Sequence, residues 1–150
     1  MAPVVVDVEQ ISDAIAETPV GSAMLVAVNR VRATGATCGD VWYPPVRPLS
    51  WDRRLERAAQ RHAHDMVRHE HFDHRGTDGR DPGERARRAG YHWWAVGENI
   101  ARHQSTVDQV MRDWLASPDH CRQLLSPKYL ELGAAESGGY WSQLFAVRRG

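Results

Sequence analysis

The chain has 150 residues, 42% hydrophobic and 25% charged, with 19 basic and 19 acidic side chains and a formal net charge of zero. That is enough for one domain with its own core, too little for two ordinary ones, and too apolar for a disordered chain. Zero net charge excludes a nucleic-acid or anionic-membrane partner held by counterion displacement, which needs a basic surplus.

Residues 1–19 read as a weakly patterned extension that ends at the Thr18-Pro19 break, with residues 20–150 forming the domain. The longest apolar run of the extension, Val4 to Val6, is too short for the core of an export signal or for a membrane span. From Ser22 the spacing of Met24, Leu25, Val28 and Val31 predicts a helix, with Gly35 just past its end. Cys38 to Pro48, rich in Gly and Pro, reads as an irregular loop. A second helix follows, with Ser50 as its N-cap and Asp52 in its first turn. Leu55, Ala58, Ala59, His62, Ala63 and Met66 fall on its apolar face.

Residues 70–80 are turn formers and histidines. Asp81-Pro82-Gly83-Glu84 carries the signature of a capping box with Pro at the first helical position, and Gly90 stops that helix. Trp93 to Ile100 reads as extended. Thr106 to Gln109 is a second capping-box start, followed by Val107, Val110, Met111 and Trp114 on one face. Ser117-Pro118-Asp119 opens one more short helix. Leu130–Ala135 and Tyr140–Val147 alternate as two strands joined by Ser137-Gly138-Gly139. Helices flanking a small antiparallel sheet make an α+β sandwich.

Two cysteines, Cys38 and Cys121, stand 121 − 38 = 83 positions apart. They cannot form a zinc ribbon and neither lies in a Cys-x-x-Cys motif, so arithmetic leaves open whether they pair. His62 falls on the apolar face of its helix and reads as a hydrogen-bonded core histidine. The stretch His69 to His74 lacks the second histidine that a His-Glu-x-x-His zinc motif requires, because Asp73 stands there. Glu98, in an otherwise apolar stretch, must be paired or hydrogen-bonded if buried. Of the adjacent Trp93 and Trp94, one must face outward if the segment is a strand.

Taken together, Leu49-Ser50-Trp51-Asp52, His62-Ala63-His64-Asp65-Met66, Phe72-Asp73-His74, Gly97-Glu98-Asn99-Ile100-Ala101, Trp114, Ser117-Pro118-Asp119-His120-Cys121 and Tyr140-Trp141-Ser142-Gln143 resemble the bacterial branch of the CAP superfamily. That superfamily contains the cysteine-rich secretory proteins, antigen 5 and pathogenesis-related protein 1. The resemblance implies an α-β-α sandwich, a Cys38–Cys121 disulfide, and a secreted or periplasmic location. It also implies a central cleft, with His74 and Glu98 matching the first His and first Glu of a tetrad that holds a divalent metal in eukaryotic members. The second Glu and second His positions carry Ser117 and Tyr140, and His120 is the candidate bacterial replacement.

The expected cleft is therefore His74, Glu98, Ser117, His120 and Tyr140. Zinc at His74, Glu98 and His120 is its candidate cofactor, or at His71, His74 and Glu98, although the pattern requires none. Ser117 also reads as a plain helix N-cap. Three functions stand beside one another. One is a binding module for a small molecule, lipid, peptide or cation. Another is a peptidase or cell-wall hydrolase with Glu98 or His74 as general base, against which no nucleophile is evident and nothing further orients the pair. The third is a structural domain without catalysis.

Overall fold

The computed structural model describes residues 19–150, so the expected extension lies outside the described residues apart from Pro19. Among the described residues eleven elements follow one another: α1 (Pro19–Thr34), β1 (Ala36–Cys38), β2 (Val41–Tyr43), β3 (Ser50–Trp51), α2 (Arg53–His69), α3 (Pro82–Arg88), β4 (Trp93–Arg102), α4 (Val107–Ala116), α5 (Pro118–Leu124), β5 (Glu131–Ser137) and β6 (Tyr140–Arg148). The four-stranded sheet runs β3-β5-β6-β4. It is antiparallel except at its edge, where the two-residue β3 pairs parallel with β5.

Strand alternation sorts the side chains into two layers. Leu144 and Ala146 of β6 meet Leu55, Ala58, Ala59 and Ala86 of α2 and α3 on one face. Trp141 and Phe145, with Leu132 and Ala134 of β5, meet Met24, Val28, Val110 and Trp114 of α1 and α4 on the other. Helices therefore cover both faces, which is the expected sandwich. Close approach of α2 to β5 depends on Gly133, where a Cβ would stand 2.2 Å from the Glu56 backbone nitrogen.

Several local expectations change. The first helix begins at Pro19 rather than Ser22. Cys38–Pro48 is not wholly irregular, because β1 and β2 form a hairpin around Gly39, whose φ of 63° suits the turn. The N-cap of α2 is Asp52, whose carboxylate accepts from the Arg54 and Leu55 amides. Ser50 cannot serve, since its backbone is paired with β5. At α4, Thr106 accepts from the Gln109 amide, while the Gln109 side chain reaches the Ser105 amide instead of closing the box. The Asp81–Glu84 box is complete. The β5–β6 turn is Gly138-Gly139, both with positive φ, as a tight two-residue hairpin demands.

Cys38 and Cys121 form a disulfide with Cα atoms 5.5 Å apart, which staples β1 to α5. Both lie in a small buried cluster with Leu125. Nearby, Arg32 of α1 is fully buried and has no carboxylate partner among the described residues. Its guanidinium donates instead to the carbonyls of Arg47, Leu124, Ser126 and Tyr129, and burial lowers its pKa to about 10.

Candidate functional site

Glu98 lies opposite Leu144 in the β4–β6 ladder. Its side chain therefore shares a face with Leu144 and with Ser142 two residues away, toward α2 and α3. Glu98 is 6% exposed as a residue, and every oxygen of its carboxylate is matched. His74 Nδ1 stands 2.8 Å from Oε1, while Arg85 Nη2 donates to Oε2 at 2.5 Å and Ser142 Oγ donates to Oε2 at 3.0 Å. The predicted pairing of Glu98 with His74 is present, in a larger cluster than expected.

Arg85 was not singled out in the sequence. It lies on the inner side of α3, and its Nη1 donates to the carbonyls of His74 and Arg80 at 2.6 and 3.1 Å. One side chain thus anchors both the carboxylate and the loop that carries its histidine partner. The absence of an orienting group, expected from sequence, does not hold: Arg85 and Ser142 orient Glu98, and Glu98 orients His74. Ser142 had a readable signal, since it sits two residues before an inward Leu144, but only a known register turns that into proximity to Glu98.

His62 is a core histidine, as its position on α2 implied. Its Nε2 donates to the Asp73 carbonyl at 2.7 Å and also lies 4.0 Å from Glu98 Oε1. Burial lowers its pKa, against the pull of Glu98. His74 moves the other way, because the hydrogen bond to Glu98 raises its pKa more than its partial burial lowers it. About half of the His74 side chain is exposed, which leaves its Nε2 edge for the solvent side.

A hollow of about 480 Å³ opens between α3, β4 and α5, lined by His74, Glu98, Glu84, Arg87, Trp93 and Gln123 among others. Gly97 forms part of it. A Cβ there would collide with the Tyr129 hydroxyl and the Gln123 amide, which are bonded to each other at 3.1 Å. Trp93 is fixed by donation from Nε1 to the Gly83 carbonyl and by Arg87 stacked 4.2 Å from its ring, and Trp94 is the outward member of the pair at 64% exposed.

Ser117, His120 and Tyr140, the other expected cleft residues, are not among those that line this hollow, although His120 lies near enough to His74 to feel its charge. Ser117 is the N-cap of α5 by position, but its hydroxyl makes no cap hydrogen bond and contacts His120 Nδ1 at 2.9 Å. His120 has its pKa lowered by burial and then by the neighbouring charge of His74. Tyr140 opens β6 and packs against Phe72, with ring centroids 6.4 Å apart, and the Arg102 guanidinium also stacks on Phe72.

The donor set suits a divalent cation poorly. Among the described residues no group of three or more His, Cys, Asp or Glu side chains could hold a metal ion. Glu98 already has a guanidinium where a cation would bind, and His71 Nε2 is bonded to the Arg75 carbonyl. No helix among the described residues is long and apolar enough to cross a membrane.

A family model described as the cysteine-rich secretory protein family, CAP, matches residues 25–145. The uncharacterized protein YkwD of Bacillus subtilis (strain 168) is 31% identical over 102 residues, covering 67% of this chain and 40% of YkwD. The uncharacterized membrane protein YlbC of the same organism is 28% identical over 100 residues, covering 67% and 29%. This chain thus spans less than half the length of these curated relatives. Among solved structures, an extracellular protein containing a SCP domain from Bacillus anthracis str. Ames superposes with a TM-score of 0.75 at 24% identity, covering 85% of this chain and 40% of that one. An outer surface protein from Borrelia burgdorferi gives 0.67 at 18% identity, covering 85% and 89%. At these identities the structural likeness shows the fold.

Proposed function

Because this chain belongs to the cysteine-rich secretory protein family, we propose that it is an extracytoplasmic recognition domain whose α3–β4–α5 hollow takes a small polar ligand or a short peptide segment. The disulfide supports a location outside the reducing cytosol. So do relatives whose names describe an extracellular and an outer surface protein.

One observation carries the reading. His74 has Nδ1 fixed on a buried, triply bonded carboxylate and its opposite edge toward an open hollow. Such a ring is a preorganised hydrogen-bonding group whose orientation needs no rearrangement on binding. The test is a long-range 15N–1H NMR titration of the oxidised protein with a panel of N-acetylated tripeptides. Saturable displacement of the His74 ring resonances, lost in His74→Ala binding assays, is expected. A panel in which no ligand moves those resonances would remove the reading.

A hydrolytic reading has one observation in its favour. The Ser117 hydroxyl, free of the cap bond, meets His120 Nδ1, which is the first half of a nucleophile–base pair. It predicts stoichiometric labelling of Ser117 by a fluorophosphonate. Turnover of an activated ester that survives Ser117→Ala would eliminate it.

A further inference from the structure

β4 is an edge strand: β6 pairs with one side of it, and no other strand among the described residues pairs with the other. The ladder fixes which main-chain groups are left over. In an antiparallel pair, alternate residues turn N–H and C=O toward the partner, and those between turn them away. His103, just past the strand, donates its amide to the Gly139 carbonyl in the same register, so Gly97, Asn99 and Ala101 face β6. Val96, Glu98 and Ile100 face outward. Two bonds agree with this. The carbonyl of Ala146, opposite Val96, accepts from Leu130 on the β5 side, and the outward Ile100 carbonyl accepts from Trp114 Nε1. Trp114 of α4 thus closes the edge at Ile100, and the register shift between Trp93 and Ala95 ends it on the other side. Between those limits, the outward N–H and C=O of Val96 and Glu98 have no hydrogen-bond partner among the described residues.

These groups belong to the floor of the hollow between α3, β4 and α5, whose lining includes Val96, Gly97 and Glu98. Glu98 is 6% exposed as a residue but 1% in its side chain, so the part of it that meets the hollow is main chain. An edge with open donors and acceptors is a template for one more strand. From Val96 to Glu98 a strand advances about 7 Å, so the open stretch engages a segment of three residues. Charge narrows the occupant. Residues paired with Val96 and Glu98 place their side chains on the α3 side of the sheet, as Glu98 does. The charged groups of that wall are Asp81, Glu84 and Arg87, with no ion pair between them. Asp81 and Glu84 each accept one amide of the α3 cap and keep further lone pairs, while Arg87 lies over the Trp93 ring. Two carboxylates against one guanidinium favour a basic segment.

We propose that an extended basic peptide adds as a strand to the open edge of β4, its main chain bonded to Val96 and Glu98 and its lysine or arginine side chains beside Asp81 and Glu84. This rests on the reading of the same hollow as a recognition site, and it names what is recognised and how.

The probe is N-acetyl-Lys-Thr-Lys methylamide added to the oxidised protein, followed by amide hydrogen exchange and by the binding of its N-methylated forms. At saturation the Val96 and Glu98 amides should exchange about tenfold more slowly or better, while those of Gly97 and Asn99, already bonded to β6, change less. Methylating the peptide amides one at a time should split the series by parity: alternate positions lose about tenfold in affinity and those between keep it. The Glu-Thr-Glu counterpart should bind about tenfold more weakly. A peptide that shifts the His74 ring but leaves both amides exchanging freely, or that tolerates methylation everywhere, would overturn the strand pairing and leave the recognition reading in place. A peptide panel that moves neither the ring nor the amides removes both. Slow exchange of the two amides before any peptide is added would show the edge already taken, by the chain itself or by a second copy, and would overturn the proposal. Equal affinity for the acidic peptide would overturn its basic specificity.

Discussion

Arg85 on α3 holds its Nη2 2.5 Å from Glu98 Oε2 on β4, thirteen residues later, and its Nη1 2.6 Å from the carbonyl of His74. Both charged groups are buried, so neither has water to fall back on. The pair therefore acts as a hub that joins helix, strand and histidine loop through one guanidinium.

Removing one partner of that hub should cost far more than removing both. Arg85→Met leaves a buried carboxylate with only His74 and Ser142, a loss of about 3–5 kcal/mol, because the stranded charge has no compensation. Arg85→Met combined with Glu98→Gln should recover a substantial part of it. Urea unfolding of the single and double variants measures the coupling. Strict additivity would show that the two groups do not depend on each other.

Stability should peak near the ordinary imidazole pKa of about 6.5. His74 has a folded pKa above that value, held there by Glu98, so its contribution is complete below 6.5 and is lost as pH rises through the raised pKa. His62 and His120 have folded pKa values below it, set by burial, so their contributions are complete above 6.5 and are lost as pH falls through the lowered values. The alkaline decline is the smaller, since His74 is half exposed and screened. Urea midpoints across this range should show both slopes; His74→Asn should flatten the alkaline one and, by removing a charge that depresses His120, ease the acid one slightly. A variant that keeps the alkaline slope would assign it to another group.

What the sequence made legible was what local chemistry decides. The apolar face of α2 from Leu55 to Met66, the Asp81–Glu84 box and the Gly138-Gly139 hairpin each depend on neighbours in the chain. Of the cleft, the meeting of His74 with Glu98 was legible through the family resemblance rather than through spacing. Arg85 and Ser142 were not, because an arginine in Glu-Arg-Ala-Arg-Arg and a serine in a strand acquire their roles from the register of β4 on β6. Arg32 is the same lesson in the core. It ends the stripe of Met24, Leu25 and Val28, where residue type alone turns an arginine outward, but four carbonyls from the far side of the fold receive it. Ser50 looked like a helix cap until β5 claimed its backbone.

Arg32 should behave as a polar keystone. Arg32→Met keeps much of the volume but leaves several carbonyls without donors, at about 1–3 kcal/mol for each one that water cannot reach. A loss of about 3–5 kcal/mol is expected. Arg32→Lys should recover little of it, since a single ammonium cannot fan out to the carbonyls of Arg47, Leu124 and Tyr129 together. Chemical denaturation of both variants decides. A lysine variant as stable as the wild type would show that charge alone, not the fork, matters there.

Two glycines should fail for different reasons. Gly133→Ala drives a Cβ to within 2.2 Å of the Glu56 nitrogen and 2.4 Å of the Leu55 carbonyl carbon, both backbone atoms of α2 that cannot rotate away. The helix must lift from the sheet, and the cost should reach or exceed the roughly 1–3 kcal/mol of ordinary overpacking. Gly79→Ala meets nothing within 4 Å, but its φ of 85° strains any residue with a Cβ, for about 1 kcal/mol. Thermal melts of the two variants should therefore differ clearly. Equal losses would mean that α2 does not seat on β5 as closely as described.

The disulfide closes a loop of 83 positions, so removing it should release about 4–5 kcal/mol of unfolded-state entropy, more than any single core contact supplies. Alanine is the right replacement, since Cys38 is 3% and Cys121 0% exposed and a serine would bury a hydroxyl. Cys38→Ala/Cys121→Ala should nevertheless fold, because the two large clusters on either face of the sheet contain neither cysteine. The loss should also be uneven. Among the described residues β1 and β2 pair only with each other, and Cys38 ties them to α5, so their amide protons should exchange faster than those of β5 and β6, which are held by the sheet and both helical layers. Native-state hydrogen exchange distinguishes this from a global effect: an equal drop in protection everywhere would mean that the staple acts only on the unfolded chain and does not hold the hairpin in place.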